Sequence, residues 1–348
     1  MPPCPLPAED LETVLSLARS AFEDLRGARI FITGGTGFFG HWLLGSLLHA
    51  NEQLSLNVRA TVLTRHATRF RERAPHIANA SAITLLEGDV RSFQFPAERH
   101  THVVHAAADS VVPSDTAVHE LAESILDGTR RVLQFAWQTG ANRLLYVSSG
   151  AVYGRGITDV KRISETYNSA PDPLQTNSGY DDAKRMAEQL CATYSQKTRL
   201  ECSIARCFAF VGPHLPLDAH FAIGNFIRDA MASKPIEILG DGTPLRSYLY
   251  MSDLAAWLWT MLVRAPAGRA YNVGSDHAVS ICELANIVAT TLQPGLAVNI
   301  AREPSPESTP STYVPDISRA RTELGLDVTV SLKDAIRRTA AWHGFGSR

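Results

Sequence analysis

Residues 28–44 read ARIFITGGTGFFGHWLL, and this stretch decides which fold is expected of the chain. It begins with six residues typical of a buried strand, passes through a glycine-rich turn and ends in an apolar helix. In a turn spaced Gly-x-x-Gly-x-x-Gly, the glycines allow a tight turn, a close approach to a pyrophosphate and packing of the helix on the strand. The N-terminus of the helix offers free N–H groups to phosphate. The stretch therefore predicts a dinucleotide-binding unit that contacts its cofactor through Gly34, Thr36, Gly37, Phe38, Phe39 and Gly40.

Short apolar runs alternate with amphipathic stretches along the first 210 residues. The expected strands are residues 28–33, 58–64, 82–87, 101–105, 143–148 and 201–206. The main expected helices between them are residues 38–49, 117–139 and 181–196. Strands that alternate with helices form a parallel sheet covered on both faces. The fold class is therefore α/β, a Rossmann-type doubly wound parallel sheet, and the looser pattern that follows predicts a smaller C-terminal substrate-binding cap.

The pattern divides the chain into three parts: an N-terminal helical extension, an NAD(P)-binding Rossmann domain and the substrate-binding cap. In that order we expect residues 1–27, residues 28–211 with 245–273, and residues 212–244 with 274–348. Within the cap, the tail at residues 301–315 is rich in Pro, Ser and Thr. We expect that tail to be a surface loop or a loop ordered by a ligand.

The composition excludes several classes of protein. A net charge of -2 over 348 residues is not the strongly basic balance of a protein that wraps duplex nucleic acid. No apolar run is long enough to span a bilayer, so no membrane partner is expected. The five cysteines are scattered without the spacing of a zinc site, and the histidines show no metal-ligand pattern, so no metal is expected. An odd number of cysteines without a secretory signal predicts a cytoplasmic location.

The second expected strand ends without the acidic residue that usually binds the ribose diol of NAD. Thr64 and Arg65 stand there and are expected to contact the cofactor, with Arg69 one turn later. Because a guanidinium can bind the 2′-phosphate of NADP, this end favours NADP over NAD, although surface arginines would look the same. Just past the third strand, Asp89 is expected near the adenine amino group beside Val90, unless it is an ordinary turn aspartate.

Tyr180 and Lys184 open the helix expected at residues 181–196, and their separation of four residues places both side chains on one helix face. A phenol with a pKa near 10 is a poor base at neutral pH, and a nearby cation favours the phenolate, so that more of it is available to accept a proton. Lys184 would supply that field and hold the nicotinamide ribose. Ser148 and Ser149 end the fifth strand at its carboxyl edge, where doubly wound sheets bind their ligands. We therefore expect Ser149 to orient a substrate oxygen toward Tyr180.

Seven motifs in this order resemble the extended short-chain dehydrogenase/reductases, and more narrowly the nucleotide-sugar epimerase/dehydratase family. The resemblance runs from about residue 28 to about residue 335. The motifs are residues 34–40, 105–108, 147–154, 180–184, 206–213, 240–250 and 271–274. The family's pattern implies an NAD(P)-dependent enzyme in which Ser149, Tyr180 and Lys184 are catalytic.

The same resemblance implies further contacts. It implies that Ala106, Ala107 and Ala108 line the cofactor, and Ser148 is counted with them. It also implies that Arg246 contacts the diphosphate of a nucleotide-sugar substrate, for which Asn225 is a second candidate. Ser149, Gly150 and Tyr180 complete the expected substrate contacts.

One departure from the family bears on the reaction. In the 4,6-dehydratases of the family an acidic pair follows the strand-ending hydroxyl residue, whereas this chain has Gly150 and Ala151. Elimination of water therefore lacks its acid and base, and dehydratase activity is not expected.

The sequence predicts reversible hydride transfer between the cofactor and a sugar carbinol, as in a 4-epimerase or a 4-ketoreductase. The alternatives are an NADPH-dependent ketoreductase of a non-sugar natural product and a non-catalytic cofactor-sensing protein. The long helices at residues 117–139 and 181–196 could pair two copies of the chain into a four-helix bundle, as is common in the family, so a homodimer is expected.

Overall fold

A computed structural model describes residues 5–107, 118–175, 177–219, 221–305 and 309–346. Ala108, which the sequence places against the cofactor, lies outside the described residues. All other predicted site residues fall within these ranges.

In the described residues the secondary structure consists of eleven α-helices, one short 3-10 helix and fourteen strands. The α-helices are α1 (Ala8–Asp24), α2 (Phe38–Leu54), α3 (Ala67–Arg73), α4 (Pro75–Ala78), α5 (Val118–Gln138), α6 (Gly179–Lys197), α7 (Ala222–Met231), α8 (Met251–Arg264), α9 (Ile281–Leu292), α10 (Ser318–Leu324) and α11 (Leu332–Trp342). The first six strands are β1 (Arg29–Thr33), β2 (Arg59–Thr64), β3 (Ile83–Glu87), β4 (His102–His105), β5 (Arg143–Ser149) and β6 (Glu201–Cys207). The others are β7 (Phe210–Val211), β8 (Ile236–Ile238), β9 (Leu245–Arg246), β10 (Leu249–Tyr250), β11 (Ala270–Val273), β12 (Val279–Ser280), β13 (Val298–Ile300) and β14 (Thr312–Tyr313). The 3-10 helix is Gly150–Tyr153.

The central sheet confirms the predicted fold class. Within the described chain it has seven strands in the order β11-β6-β5-β4-β1-β2-β3, and every neighbouring pair is parallel. Four of the five residues of β1 are buried, as expected for a strand covered by helices on both faces. The chain order reverses between β1 and β4, so the carboxyl ends of these two strands form the crevice at which doubly wound sheets bind ligands.

The tail at residues 301–315 differs from the predicted loop. Thr312 and Tyr313 form strand β14, which pairs in parallel with β9 in a three-stranded sheet. The N–H of Thr312 donates to the carbonyl of Ile157 at 2.7 Å. A Pro-rich composition predicts a loop from local preference alone, whereas β14 exists because two distant segments satisfy its backbone groups.

Helix α1, within the predicted N-terminal extension, packs into the core of the molecule. It lies against α2 and α8, and the ring of Phe22 lies 5.7 Å from that of Trp259. The buried carboxylate of Asp10 accepts from the hydroxyl of Tyr250 at 2.7 Å and from Arg338 at 2.8 Å. Burial raises the pKa of Asp10, and both hydrogen bonds oppose that rise. The extension is thus tied by buried polar contacts to residues more than 200 positions away.

The described residues contain neither a membrane-spanning helix nor a cluster of metal ligands. None of their helices combines the length and the apolar character needed to cross a bilayer. The same residues contain no cluster of three or more His, Cys, Asp or Glu side chains able to hold a metal ion.

Candidate active site

The glycine-rich loop at residues 34–40 joins β1 to α2 with little space around its backbone. Gly34 has a φ of +74°, and a Cβ atom there would lie 2.4 Å from the carbonyl oxygen of Ala106. Only glycine fits this position, because both its backbone conformation and its neighbour exclude a side chain. Helix α2 begins at Phe38, so its first N–H groups lack partners within the helix. The loop therefore has the form of an anion cradle at a helix N-terminus.

The end of β4 forms the opposite wall of this loop. The N–H of Ala107 donates to the hydroxyl of Thr33 at 3.1 Å, and that hydroxyl also contacts Nδ1 of His105 at 2.7 Å. The other ring nitrogen of His105 lies 3.0 Å from the hydroxyl of Thr129. These buried contacts hold Ala106 and Ala107 against the glycine-rich loop.

A mixed set of charges surrounds the ends of β2 and β3. An open depression there is lined by His66, Thr68, Arg69, Glu72 and Glu87. Glu87 ends β3 directly opposite Thr64, the last residue of β2. This carboxylate is not among the predicted site residues, because Glu87 and Thr64 come together only when β2 and β3 pair.

The side chain of Asp89 forms an ion pair with Arg91. The guanidinium of Arg91 donates to both carboxylate oxygens at 2.8 and 2.9 Å, and this pair lowers the pKa of Asp89. The neighbouring Val90 packs against Gly128 of α5, where an added Cβ would lie 2.8 Å from a methyl group of Val90.

The three predicted catalytic side chains meet at the carboxyl end of β5. Ser149 ends that strand, and its side chain lies close enough to the phenol of Tyr180, the second residue of α6, to lower the pKa of that phenol. Nζ of Lys184 lies 5.9 Å from the ring centre of Tyr180 and donates to the carbonyl of Val147 at 2.8 Å. The fold therefore brings Ser149 close to Tyr180 and Lys184, which the sequence spacing alone could only suggest.

Burial shifts both titrating groups of this set. It raises the pKa of Tyr180 to about 12, while the hydrogen bond with Ser149 acts in the opposite direction. Burial lowers the pKa of Lys184 to about 8. In both cases burial disfavours the charged form of the group, because that form loses its contact with water.

The predicted substrate contacts lie on separate elements. Arg246 is half-buried on β9, where Nη1 donates to the carbonyl of Leu245 at 2.8 Å. Asn225 lies on α7 and its side-chain oxygen accepts from Arg228 at 3.0 Å. Ser148 is buried and its hydroxyl donates to Glu188 at 2.6 Å, so that hydroxyl is already used within the protein.

Tyr313 and Phe208 lie beside Gly150, next to Ser149, and neither is among the predicted site residues. Burial raises the pKa of the Tyr313 phenol, and the nearby Ser149 side chain acts in the opposite direction. The rings of Tyr313 and Phe208 lie 4.7 Å apart, and the guanidinium of Arg246 lies 5.9 Å from the Tyr313 ring. In the sequence, Tyr313 stands out only as an isolated aromatic residue in a polar tail, whereas Phe208 lies within the motif at residues 206–213.

These two aromatic residues fill the space beside Gly150. A Cβ atom at Gly150 would lie 2.8 Å from the Tyr313 hydroxyl and 2.9 Å from Cζ of Phe208. A larger side chain at this position would have to displace one of the two rings.

The model of the NAD dependent epimerase/dehydratase family matches residues 30–274. Among similar proteins, UDP-glucuronic acid decarboxylase 2 of Arabidopsis thaliana is 28% identical over 312 residues, which cover 89% of this chain and 67% of that protein. UDP-glucuronic acid decarboxylase 1 of Xenopus tropicalis is 26% identical over 313 residues, which cover 89% of this chain and 71% of that protein.

Solved structures agree with this match. The dTDP-glucose 4,6-dehydratase DesIV of Streptomyces venezuelae, solved with NAD bound, is 26% identical with a TM-score of 0.75 and covers 90% of this chain and 96% of its own. The UDP-glucose 4-epimerase of Thermotoga maritima, solved with UDP-glucose, has a TM-score of 0.74 and covers 90% of this chain and 98% of its own. Its 18% identity supports the fold alone.

Proposed function

Because the chain belongs to the NAD dependent epimerase/dehydratase family, we propose that it oxidises or reduces a carbinol of a nucleotide sugar. The chain is an enzyme of the extended short-chain dehydrogenase/reductase type. The observation that carries the proposal is the meeting of Ser149, Tyr180 and Lys184 at the end of β5, where Nζ of Lys184 lies 5.9 Å from the ring centre of Tyr180 and Ser149 lies beside its phenol. We place the redox step at C4 of the sugar, as a 4-epimerase or a 4-ketoreductase would require.

The glycine-rich loop fits the diphosphate of NAD or NADP. The backbone approach of Gly34 to Ala106 leaves no room for a side chain, and the N-terminus of α2 faces the same loop. Ala106 and Ala107 would line the cofactor beside residues 34–40, and Lys184 would hold the nicotinamide ribose. When bound, the dinucleotide supplies a hydride acceptor or donor.

The roles of the chain's own residues follow from their contacts. Tyr180 would take the proton of the sugar hydroxyl, and the neighbouring hydroxyl of Ser149 would steady the sugar oxygen as charge develops there. In the proposed role, a protonated Lys184 would favour the phenolate of Tyr180 against the effect of burial. In the substrate, the diphosphate would meet the guanidinium of Arg246, which suits an anion with paired oxygens.

Two features argue that this enzyme does not carry out a 4,6-dehydration. Gly150 and Ala151 have no side chain able to exchange a proton, and Tyr313 and Phe208 occupy the space where a larger residue at 150 would stand. Glu165, on the loop before Tyr180, is already engaged. Its carboxylate accepts from the N–H of Asn272 at 2.9 Å and lies 3.8 Å from Arg319.

Decarboxylation of a nucleotide uronate is the second candidate, because the two relatives reported above are named UDP-glucuronic acid decarboxylases. A ketone at C4 would make the C5 carboxylate that of a β-keto acid, which loses carbon dioxide without an acidic residue at position 150. The carbanion left at C5 would take up a proton, and reduction of the ketone would complete the reaction.

The reaction class is tested by incubating the protein with nucleotide hexoses and nucleotide uronates, with and without NADPH. We expect products of unchanged mass from epimerisation, or a gain of two hydrogens when a 4-keto sugar is reduced. Loss of carbon dioxide from a uronate alone would select the second candidate. Loss of one water from a nucleotide-glucose at an enzymatic rate, read by mass and proton spectra, would contradict the assignment.

Cofactor preference is proposed to follow the arginines after β2. We propose that Arg65 and Arg69 favour NADP slightly over NAD, because each can contact a 2′-phosphate. Replacing either by alanine is expected to weaken NADP binding by about 1.5–3 kcal/mol, the range for a hydrogen bond to a charged group, and to leave NAD binding unchanged. Isothermal titration of both dinucleotides measures this difference.

The matched control is Arg71→Ala. Arg71 is exposed on helix α3, which also carries Arg69, but it does not line the depression at the ends of β2 and β3. It should leave both affinities unchanged. Equal affinity of the wild type for NAD and NADP, unaltered by Arg65→Ala and Arg69→Ala, would contradict the preference for NADP.

We propose that the chain forms a homodimer through α5 and α6. These helices pack on each other and expose the large apolar side chains of Trp137 and Met186. A second copy would cover these side chains in a four-helix bundle.

We also propose a cytoplasmic location, since the described cysteines Cys191, Cys202, Cys207 and Cys282 are all free thiols.

A further inference from the structure

One face of α6 presents three polar residues, one on each of successive turns, near the end of β5. Tyr180, Lys184 and Glu188 are spaced by four residues, so their side chains lie on successive turns. Tyr180 lies beside Ser149, Lys184 donates to the carbonyl of Val147 at 2.8 Å, and Glu188 accepts from the hydroxyl of Ser148 at 2.6 Å. The first two side chains belong to the proposed catalytic set, whereas the proposed reaction uses no proton or charge of Glu188.

Glu188 also joins this helix to the next strand. Arg206 of β6, which is paired in register with Ser148, donates to the carboxylate through Nε at 3.0 Å and Nη2 at 2.7 Å. The side chains of Glu188 and Arg206 are only 9% and 18% exposed. A buried carboxylate that receives a bidentate guanidinium and a hydroxyl has a fixed position, because each donor restricts a different direction.

The guanidinium is itself held from its other side. Nη1 of Arg206 donates to the hydroxyl of Tyr153 at 2.9 Å, and that hydroxyl donates to the side-chain oxygen of Asn272 on β11 at 2.8 Å. The carboxylate of Glu188 is therefore anchored to β5 and β6, and through Tyr153 and Asn272 to β11, the strand at the edge of the central sheet.

We infer that Glu188 is a positioning residue whose carboxylate keeps Tyr180 and Lys184 in register with Ser149. The inference rests on the proposed function of that set. Every donor that faces Glu188 needs an acceptor, and a glutamine at this position would place its own N–H donors against Ser148 or Arg206. The amide would then have to turn away from one partner, and α6 would lose that anchor.

The test compares Glu188→Gln with Glu188→Asp and with a matched control, Glu201→Gln. Glu201 also pairs with an arginine, Arg143, at 2.7 Å, but at the exposed start of β6. A shift of about 1 Å in a catalytic group can cost about 100-fold in rate. We therefore expect Glu188→Gln to lower kcat by about 10- to 100-fold with KM for the nucleotide sugar unchanged. Glu188→Asp should recover part of the loss, and Glu201→Gln should match the wild type.

Crystal structures of the wild type and Glu188→Gln supply a readout that does not depend on turnover. We expect the contact between Lys184 Nζ and the Val147 carbonyl, and that between Tyr180 and Ser149, to be lost or lengthened in the variant. Superimposable positions of Tyr180 and Lys184, or a kcat within twofold of the wild type, would overturn the inference. If the wild type turns over no nucleotide sugar, the proposed function fails, and the crystal structures still decide the role of Glu188.

If Glu188→Gln does not fold, the double variant Glu188→Gln with Arg206→Met removes the unpaired buried charge. A low kcat in the folded double variant, with Lys184 displaced, supports positioning. A kcat equal to that of the wild type shows that the carboxylate serves only to balance Arg206, and it overturns the inference.

Discussion

Tyr180→Phe is expected to lower kcat by about 10²–10⁴-fold, the usual contribution of a positioned general acid or base. The variant removes the phenol oxygen beside Ser149 and retains the ring beside Lys184. Because no buried charge is left unpaired, the free energy of unfolding should change little. Steady-state kinetics on the true substrate, with dinucleotide binding measured in parallel, checks both parts of the expectation.

Tyr167→Phe is the matched control for this variant. Its hydroxyl donates to Asp159 at 2.7 Å and takes no part in the set formed by Ser149, Tyr180 and Lys184. The control should retain wild-type turnover. If Tyr180→Phe keeps more than a tenth of the wild-type rate, Tyr180 is not the base.

Acid is expected to destabilise the fold through buried histidines. Burial lowers the pKa of His105 to about 3, that of His214 to about 3 and that of His102 to about 4. In the unfolded chain a histidine has a pKa near 6.5, so below that pH the unfolded state binds protons that the folded state does not. The free energy of unfolding therefore falls as the pH falls. Each group contributes about 1.4 kcal/mol per pH unit once its unfolded form is protonated, or about 4 kcal/mol per pH unit for the three.

Urea unfolding at several pH values between 7 and 5 measures this slope. His102→Gln, at the start of β4, should reduce the slope by about one group's contribution. His277→Gln should leave it unchanged, because the His277 side chain is 76% exposed. A free energy of unfolding that is constant over this range would show that the three rings are not held neutral in the folded state.

The sequence alone determined the features that depend on neighbouring residues. The loop at residues 34–40 needs a strand before it and a helix after it, and α2 begins at Phe38 as expected. Tyr180 and Lys184 share a face because four residues span about one helical turn. The strands were equally legible since burial on both sides makes each of them a continuous apolar run. Their predicted boundaries differ from the observed ones by one residue or less.

Only the tertiary structure decided which distant residues surround this set. Tyr313 reaches Ser149 across 164 positions of sequence through β14, inside a tail whose composition predicts a loop. Arg206 meets Glu188 because α6 packs on β6, and Asp10 meets Tyr250 because α1 packs on α8. The physical reason is the range of the forces. A local pattern records the preferences of adjacent backbone units, whereas a buried polar side chain takes the partner that packing brings to it, and no spacing in the sequence encodes that choice.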